Sequence, residues 1–379
     1  MQYQADVIVV GGGVIGCSIA FYLSREGVSV TLIDRDGLAA GASGVAAGML
    51  TPVAEHVEGG PLYDLGLASL AMFPDTLQVV HSESGIDPEY VTSGTLRVAF
   101  AEDEAEALKS IIPRVTPKVE ADWLTETEVQ SIEPKLSQEI LGGLFTPGER
   151  QVRGLRLTQG FAQAASAQPG RTKFLFGTQV MGLTYMGERV TGVRLSDGTS
   201  LSADHVVIAA GSWSGQLTED LPSGDFGAHV RVPVRPVRGQ LVNLHSAPRL
   251  IRTNVWWGKH YLTPKVDGTT VVGATQEEAG FDTRSTAEGV VDLLTAGLRM
   301  LPELAYARMD GVSVGLRPGT PDDMPIIGRV PGYEGIWLAT GHFRSGILLS
   351  PITGQIIAEL ITTGKSSFPI DAFSLARFE

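Results

Sequence analysis

Residues 5–34 have the sequence ADVIVVGGGVIGCSIAFYLSREGVSVTLID, in which two apolar runs flank three consecutive glycines and a third apolar run follows. The first and third runs are short and rich in Val and Ile, as in buried strands, and the second is long enough for a helix. This pattern indicates a parallel sheet covered on both faces. We predict, in order, a strand, a turn, a helix and a strand at Ala5–Val10, Gly11–Gly13, Val14–Glu26 and Ser29–Asp34.

The glycines of this unit have the spacing of a dinucleotide-binding turn, because Gly11, Gly13 and Gly16 form GxGxxG between a strand and a helix. The first glycine allows a tight turn, the second lets a pyrophosphate approach the backbone, and the third lets the helix pack closely. Asp34 follows Gly13 by 21 residues, where a carboxylate can accept hydrogen bonds from ribose. An ordinary glycine turn is the alternative, but the combination favours a dinucleotide, either FAD or NAD.

The composition excludes several classes of protein. The 379 residues include 29 Lys and Arg against 42 Asp and Glu, and the formal net charge of −13 argues against nucleic-acid binding. The single cysteine, Cys17, excludes an intrachain disulfide and is expected to be a small buried residue. Seven histidines show no metal-binding spacing, so we predict no metal site.

Residues 7–24 carry no charge, which raises the alternative of a signal peptide or a membrane span. No Lys or Arg precedes them, three glycines interrupt them, and no small-residue cleavage site follows. A buried strand, turn and helix explain the stretch better. We therefore expect no membrane span and a cytoplasmic protein.

The rest of the chain mixes helical and antiparallel patterns. Helices are expected at residues 61–86, 102–132, 286–301 and about 353–361, with a short strand at 336–339. Residues 230–275 alternate apolar and polar positions, which indicates an antiparallel sheet. A β-meander is predicted from four strands, Lys173–Phe176, Val180–Tyr185, Val190–Leu195 and His205–Ala210. The fold class is thus α/β, a Rossmann-like nucleotide-binding domain with a second, antiparallel β-sheet domain.

Two further segments favour FAD over NAD. Residues 37–50, GLAAGASGVAAGML, are small and glycine-rich and suit a backbone that lies against a large planar cofactor. Residues 341–349, GHFRSGILL, precede a predicted helix whose N-terminus would stabilise the charge of a reduced flavin. A helix-capping turn explains this second segment equally well. We assign residues 1–85, 150–220 and 311–379 to a discontinuous FAD-binding domain, and 86–149 and 221–310 to a substrate-binding domain.

Three side chains are candidates for substrate binding. Arg317 and Arg344 each lie in a glycine-containing loop, and an arginine fork binds a carboxylate through two parallel hydrogen bonds. The alternative for each is a structural ion pair with Asp322, Asp323 or another acid, which the residues alone favour. Tyr261 is either a hydroxyl donor above a substrate or an aromatic residue of the sheet core.

At these residues the sequence resembles the D-amino-acid oxidase and glycine oxidase family of FAD-dependent amine oxidases. The resemblance spans nearly the whole chain, and its last two segments are the most specific because neither is a general nucleotide motif. The matching segments are VIVVGGGVIGCSIAFYL at 7–23, AAGML at 46–50, VVIAAGSWSG at 206–215, PVRGQ at 236–240, VVGAT at 271–275, GLRPGTPDDMPIIGR at 315–329 and GHFRSGILLSPITG at 341–354.

The resemblance implies a role for each site residue. Arg317 would bind the substrate carboxylate, Arg344 would lie beside the substrate, and Tyr261 would close the pocket. The implied FAD contacts are Val14 and Ile15 at the pyrophosphate, Asp34 and Arg35 at the adenosine ribose, Ala42, Ser43, Ala47, Gly48 and Met49 along the flavin, Val180 on the adenine side, and His342, Phe343, Arg344, Ser345, Gly346, Ile347 and Leu348 around the isoalloxazine.

The resemblance also implies the reaction. A small amino acid such as glycine, sarcosine or a small D-amino acid would lose a hydride to FAD, and the imine would hydrolyse to a 2-oxo acid and ammonia. Molecular oxygen would reoxidise the flavin and form hydrogen peroxide. The imine of glycine resembles the intermediate used to build the thiazole of thiamine, and such enzymes are homotetramers.

Two residues depart from the family pattern. Asp34 stands where a longer glutamate is common, and Gln276 follows GAT where an apolar residue such as Met is expected near the pocket. A polar amide at that position suits a larger or N-substituted amine, including N-carboxymethyl compounds. A dehydrogenase with another electron acceptor and a flavin-holding protein without activity are the remaining alternatives.

Overall fold

A computed structural model of the chain describes residues 4–55, 59–168, 170–219, 221 and 231–378. Two eight-stranded sheets form its framework, one mainly parallel and one mainly antiparallel. A short two-stranded ladder joins Met49–Leu50 to Arg150–Gln151. The predicted fold class, a nucleotide-binding α/β layer with a second antiparallel sheet, is confirmed.

The first sheet contains the opening unit of the sequence. Its central strand pairs in parallel with a strand on each side, as the apolar runs predicted. A hairpin of Val180–Met186 and Arg189–Leu195 extends from the strand Ser200–Ile208. In order across the sheet, the main strands are Ile326–Arg329, Ile336–Thr340, Ser200–Ile208, Gln4–Val10, Val30–Asp34 and Thr172–Phe176.

The predicted meander is wrong in its first strand. Thr172–Phe176 pairs in parallel with Val30–Asp34 and not with the strand that follows it in the chain. The reason is that Val30–Asp34 would otherwise leave one row of backbone donors and acceptors unpaired within the sheet. The other three strands are antiparallel neighbours in chain order, as expected.

The predicted helical region at residues 102–132 is interrupted. Pro113 and Pro117 remove backbone donors, and the helical segments on this side end at Lys109 and Val115. A strand, Asp122–Thr125, then pairs with Gly142–Thr146 before the chain returns to a helix. The predicted helix therefore included a strand, which forms because it pairs with another strand of the second sheet.

The second sheet is antiparallel except for one pair. Asn254–Trp257 runs parallel to Thr95–Ala99, so two separate parts of the chain meet in the middle of this sheet. One face packs on the helix Ala287–Met300 and its apolar neighbours. In order, the strands are Arg308–Gly319, Arg235–His245, Thr269–Gly273, His260–Pro264, Asn254–Trp257, Thr95–Ala99, Gly142–Thr146 and Asp122–Thr125.

Three helices cover the first sheet on one side. Val14–Arg25 packs between Gly154–Ser166 and Ser350–Thr363, and its apolar residues are almost fully buried. This packing fixes the glycine turn that precedes the first helix. The remaining α-helices are Ala42–Val45, Pro52–Glu55, Pro61–Ser84, Glu102–Lys109, Ile112–Val115, Glu126–Ile132 and Ala287–Met300, with 3₁₀ turns at Gly211–Trp213, Pro302–Tyr306, Asp371–Phe373 and Leu375–Phe378.

The strands of the first sheet come from the start, the middle and the end of the chain, and those of the second come from the segments between. Arg308–Gly319 crosses the predicted domain boundary at residue 311 and pairs within the second sheet. The domain division itself stays a prediction. Among the helices that the structure describes, none has the length and apolar character needed to cross a bilayer.

The close contact between the first helix and the glycine turn gives a stability prediction. A Cβ atom on Gly16 would lie 1.9 Å from the carbonyl oxygen of Gly11, so Gly16→Ala forces the backbone apart. We expect the free energy of unfolding to fall by about 2–3 kcal/mol, measured by urea titration. Gly148→Ala is the control, because a Cβ there has no atom within 4 Å. Equal midpoints for the two variants would contradict the packing described.

Candidate active site

A cavity of about 650 Å³ lies between the carboxyl ends of the parallel strands and one face of the second sheet. This volume is in the range of roughly 300–1,000 Å³ that small-molecule sites occupy. The predicted site residues that line it are Gly11, Gly13, Val14, Ile15, Asp34, Arg35, Ala42, Ser43, Ala47, Gly48, Met49, Val180, Tyr261, Arg317, His342, Phe343, Arg344, Gly346 and Ile347.

Three predicted residues lie behind the cavity wall. Gly16 is in contact with the Gly11 backbone, where only a glycine fits. Ser345 is buried and its backbone N–H donates to the carbonyl of His342 at 2.9 Å. Leu348 packs in the core of the first sheet, and its carbonyl accepts a hydrogen bond from Ser69.

The glycine turn forms a cradle at one end of the cavity. Gly11 has a φ of +122°, and a Cβ there would lie 2.3 Å from the carbonyl oxygen of Ala209. Gly13 is the N-cap of the helix Val14–Arg25 and provides no side-chain cap, while the N–H of Val14 donates to Ser43 Oγ at 3.0 Å. Because Gly13 has no side chain at the start of the helix, a pyrophosphate can approach the backbone N–H groups there. These residues therefore fit an FAD.

Asp34 is held by the backbone of the turn. One carboxylate oxygen accepts from the N–H of Gly12 at 2.7 Å, and the other accepts from Asp36 and Gly37 at 2.9 and 2.8 Å. Carboxylate oxygens have two acceptor positions each, so capacity for ribose hydroxyls remains. The guanidinium of the adjacent Arg35 stacks 4.2 Å from the ring centre of Trp213, an aromatic contact that the sequence pattern did not predict.

The segment after the last parallel strand is tied to the second sheet. The N–H of Phe343 donates to the carbonyl of Pro318 at 3.0 Å, which joins the Arg344 loop to the end of the Arg317 strand. His342 is buried, its Nε2 lies 3.1 Å from Thr353 Oγ1, and burial lowers its pKa to about 3. His342 is therefore neutral and engaged within the protein near pH 7.

Arg317 and Tyr261 lie flat on the second sheet because glycines lie beneath them. A Cβ on Gly239 would lie 2.4 Å from Arg317 Nη1, and a Cβ on Gly273 would lie 2.4 Å from Tyr261 Cζ. Arg317 Nη1 donates to the carbonyl of Thr275 at 3.0 Å. Burial lowers the pKa of Arg317 and raises that of Tyr261, because removal from water disfavours the charged form of each side chain.

The cations of the cavity wall differ in their partners. Arg35 pairs with Asp36 at 2.9 Å, Lys259 with Asp292 at 3.3 Å and Arg344 with Glu55 at 2.7 Å. Within the described ranges, Arg317 forms no ion pair with a carboxylate. Asp322, the alternative partner considered from the sequence, pairs with Arg377 at 2.7 Å instead. A structural ion pair, the alternative considered from the sequence, therefore fits Arg344 and does not fit Arg317.

Two charged residues, one half-buried and one buried, were missed by the sequence analysis. Glu55 lines the cavity beside Arg344, and no motif around it signals this position. Lys265 is fully enclosed, and its ammonium donates to the carbonyls of Ala47 and Val152 and to Gln151 Oε1. It thus ties the predicted flavin-facing segment to the second sheet. Its place at the end of a buried strand was the signal available in the sequence.

The remaining sequence predictions concern a polar substitution and a thiol. Gln276 lines the cavity and is exposed, directly after Thr275. Cys17 is fully buried, its Sγ lies 3.6 Å from the Gly12 carbonyl, and burial raises the pKa of its thiol. In the part of the chain that the structure describes, no group of three or more acidic, cysteine or histidine side chains is arranged for a metal ion.

Lys265 gives a prediction of pH dependence. Burial lowers its pKa from 10.5 to about 7, so the folded protein binds fewer protons than the unfolded chain between these values. Its contribution to stability therefore rises from pH 7 towards 10, by at most roughly 1.4 kcal/mol per pH unit. Urea unfolding should show this slope in the difference between wild type and Lys265→Met. The exposed Lys109→Met serves as control, and an equal slope there would refute the assignment.

Comparisons with known proteins agree with this site. Residues 6–360 match the family model DAO, described as FAD-dependent oxidoreductase. The chain is 33% identical to a glycine oxidase of Geobacillus kaustophilus, over 100% of this chain and 98% of that protein. It is 34% identical to a bifunctional protein ThiO/ThiG of Synechocystis, over 100% of this chain and 55% of that protein.

Comparison with solved structures agrees with the sequence comparisons. The crystal structure of glycine oxidase from Geobacillus kaustophilus superposes with a TM-score of 0.92 at 31% identity, covering 100% of this chain and 99% of that one. The family match extends over most of the chain, and the cavity residues that carried the sequence resemblance lie within it. The chain therefore belongs to the DAO family of FAD-dependent oxidoreductases, which includes glycine oxidases.

Proposed function

We propose that the protein oxidises glycine and small related amines, including sarcosine and small D-amino acids, to a 2-oxo acid, ammonia and hydrogen peroxide. The observation that carries this proposal is Arg317. It is a guanidinium in the wall of the cavity, bonded to the Thr275 carbonyl and without a carboxylate partner among the described residues. A desolvated cation of this kind is complementary to the carboxylate of an amino acid.

Arg317 and Tyr261 would orient the substrate. The Arg317 fork can donate two parallel hydrogen bonds to a carboxylate, and the enclosed Tyr261 hydroxyl lies beside that position. When bound, FAD supplies the hydride acceptor. Because the flavin provides the chemistry, the contribution of these side chains is to hold the substrate Cα–H in a fixed orientation, which by itself accelerates reactions substantially.

Among the described residues of the cavity wall, neither His342 nor Glu55 is available as a base for the amine. His342 is neutral but occupied with Thr353, and the Glu55 carboxylate is paired with Arg344. This arrangement fits a substrate that reacts as the neutral amine, for which positioning is sufficient. It also predicts that activity rises with pH as the amine loses its proton.

The charge pairing favours substrates with one carboxylate. Arg344 and Lys259, two other cations that line the cavity, already pair with Glu55 and Asp292. A second carboxylate would therefore meet no unpaired cation in the described wall. Gln276 adds a polar amide to this region and supports acceptance of an N-methyl amine such as sarcosine.

The proposal includes a cytoplasmic location, which rests on the interpretation of residues 7–24 as a buried strand, turn and helix, and three properties that rest on family resemblance. Molecular oxygen would be the electron acceptor, the protein would be a homotetramer, and its imine product would serve the synthesis of the thiamine thiazole. The similarity to ThiO/ThiG proteins supports this last role. Peroxide yield per turnover and light scattering test the first two properties, and rapid dye reduction with little peroxide would favour a dehydrogenase.

Anaerobic reduction of the bound flavin tests the activity. Glycine and sarcosine should bleach the yellow holoenzyme, and D-alanine should do so more slowly because it needs more space at Cα. The absorbance near 450 nm, read in a stopped-flow instrument, gives the rate. Iminodiacetate is the comparison compound, since it carries a second carboxylate. Failure of every monocarboxylic amine to reduce the flavin would sink the proposal.

Substitution of Arg317 tests its assigned role. Arg317→Lys keeps the charge but loses the fork, so we expect KM for glycine to rise about 10- to 100-fold while FAD binding is retained. Arg308→Lys makes the same exchange on the same strand at an exposed position and should leave KM within twofold. An unchanged KM in Arg317→Lys would remove this residue from carboxylate binding.

A further inference from the structure

A series of charged side chains extends from the cavity into the protein behind Arg344. Glu55, whose carboxylate pairs with Arg344, is the last residue of the short helix Pro52–Glu55. Glu149 is fully buried, and its Oε1 accepts hydrogen bonds from the N–H groups of Val53 and Ala54 at 2.7 and 3.0 Å. One enclosed carboxylate thus accepts hydrogen bonds from the backbone of the two residues that precede Glu55.

Arg97 is a further charged residue of this series. It interacts electrostatically with Glu149, Glu55 and Arg344, but no carboxylate oxygen of the described residues comes within ion-pair distance of it. Its Nη1 and the second oxygen of Glu149 are buried, and neither has a hydrogen-bond partner in the described part of the protein. The signs alternate from Arg344 through Glu55 and Arg97 to Glu149.

The space around this series is lined by further polar atoms without partners. Thr95, Asn254 and Thr263 lie on neighbouring strands, are at most 1% exposed, and direct unpartnered hydroxyl or amide atoms into the interior. Thr51 and Gln151 have unpartnered polar atoms as well. The interior around Glu149 and Arg97 is therefore polar, and the side chain of Thr95 also bears on the Glu149 carboxylate.

We propose that Glu149 is a positioning residue of the substrate site, which fixes Glu55 and through it Arg344 by holding the helix Pro52–Glu55. This inference rests on the proposed function in placing Arg344 beside the substrate. The side chain of Arg344 is 31% exposed, and its ion-pair partner in the described residues is Glu55. The orientation of Arg344 therefore depends on where the Glu55 carboxylate lies.

The two oxygens of Glu149 have separable effects. The oxygen bonded to Val53 and Ala54 sets the position of the helix, and any side chain with an acceptor there preserves it. The other oxygen contributes charge. Burial raises the pKa of Glu149 to about 7, and the charged or titratable groups facing it are Arg97, Tyr63 and, beyond Arg97, Glu55. Ionisation of Glu149 therefore adds negative charge behind the site near neutral pH.

Three variants of the holoenzyme test the positional effect. Glu149→Leu removes the acceptor and should raise both KM for glycine and the Kd for glycolate at least tenfold, with kcat changed less than threefold. Glu149→Gln keeps the acceptor and should restore both constants to within about threefold. Glu133→Leu is the matched control, since Glu133 is also buried and accepts from two consecutive N–H groups, of Arg252 and Thr253, outside the cavity wall.

The control separates positioning from stability. If Glu149→Leu lowers thermal stability as Glu133→Leu does but leaves KM and the glycolate Kd unchanged, Glu149 is merely structural and the proposal fails. Glycolate has the carboxylate of glycine and no amine, so its binding, read from the flavin spectrum, does not depend on oxidation. A protein that binds glycolate but oxidises no amine would refute the proposed function and leave this inference testable.

The charge effect is tested by the pH dependence of glycolate binding. In wild type the Kd should rise as pH increases through about 7, because ionised Glu149 opposes an anion, and in Glu149→Gln it should lack this inflection. An identical inflection in both proteins would overturn the proposal.

Discussion

A half-buried guanidinium in the cavity wall, with no carboxylate partner among the described residues, is the constraint on which the site depends. Desolvation of a charge is costly, and proteins usually compensate it with an opposite charge. At Arg317 the compensation within the described residues comes from the Thr275 carbonyl, the neighbouring Tyr261 and the charge of Glu55, which lies beyond ion-pair distance and pairs with Arg344. The cavity is therefore complementary to an anion that the protein does not supply. The acidic net charge of the chain conceals this local property.

Glycine makes this arrangement possible. Its high content, 46 residues, is used where a side chain would block an approach: under Arg317 at Gly239, under Tyr261 at Gly273, and in the turn at Gly11. In the first two positions a strand gives up a side chain so that a long side chain from its neighbour can lie across it. The glycines thus shape the cavity wall and do not indicate general flexibility.

The opening unit and the antiparallel sheet were predictable because their signals are local. Apolar runs define strands, and GxGxxG with a following acid defines a turn and a helix start, which the structure has at Gly11–Gly13 and Val14–Arg25. The pairing of Thr172–Phe176 was not predictable in this way, since it depends on an edge left by Val30–Asp34. The strand at Asp122–Thr125 was hidden for the same reason.

The site residues also divide into those with a local sequence signal and those without one. Residues within motifs, such as Arg317 and the turn glycines, could be selected from the sequence, although the sequence could not decide whether Arg317 has an acidic partner. Glu55, Lys265 and Glu149 follow no motif, because burial and partners from distant segments give them their importance. Lys265 connects the second sheet to the segment predicted to face the cofactor, and Glu149 holds the helix that carries Glu55.

The most direct measurement is a crystal structure of the FAD-bound protein with glycolate. We expect both carboxylate oxygens to lie within hydrogen-bond distance of the Arg317 guanidinium, with the Tyr261 hydroxyl on one of them, while Arg344 keeps its pair with Glu55. A carboxylate bound to Arg344 or Lys259, with Arg317 directed elsewhere, would contradict this expectation.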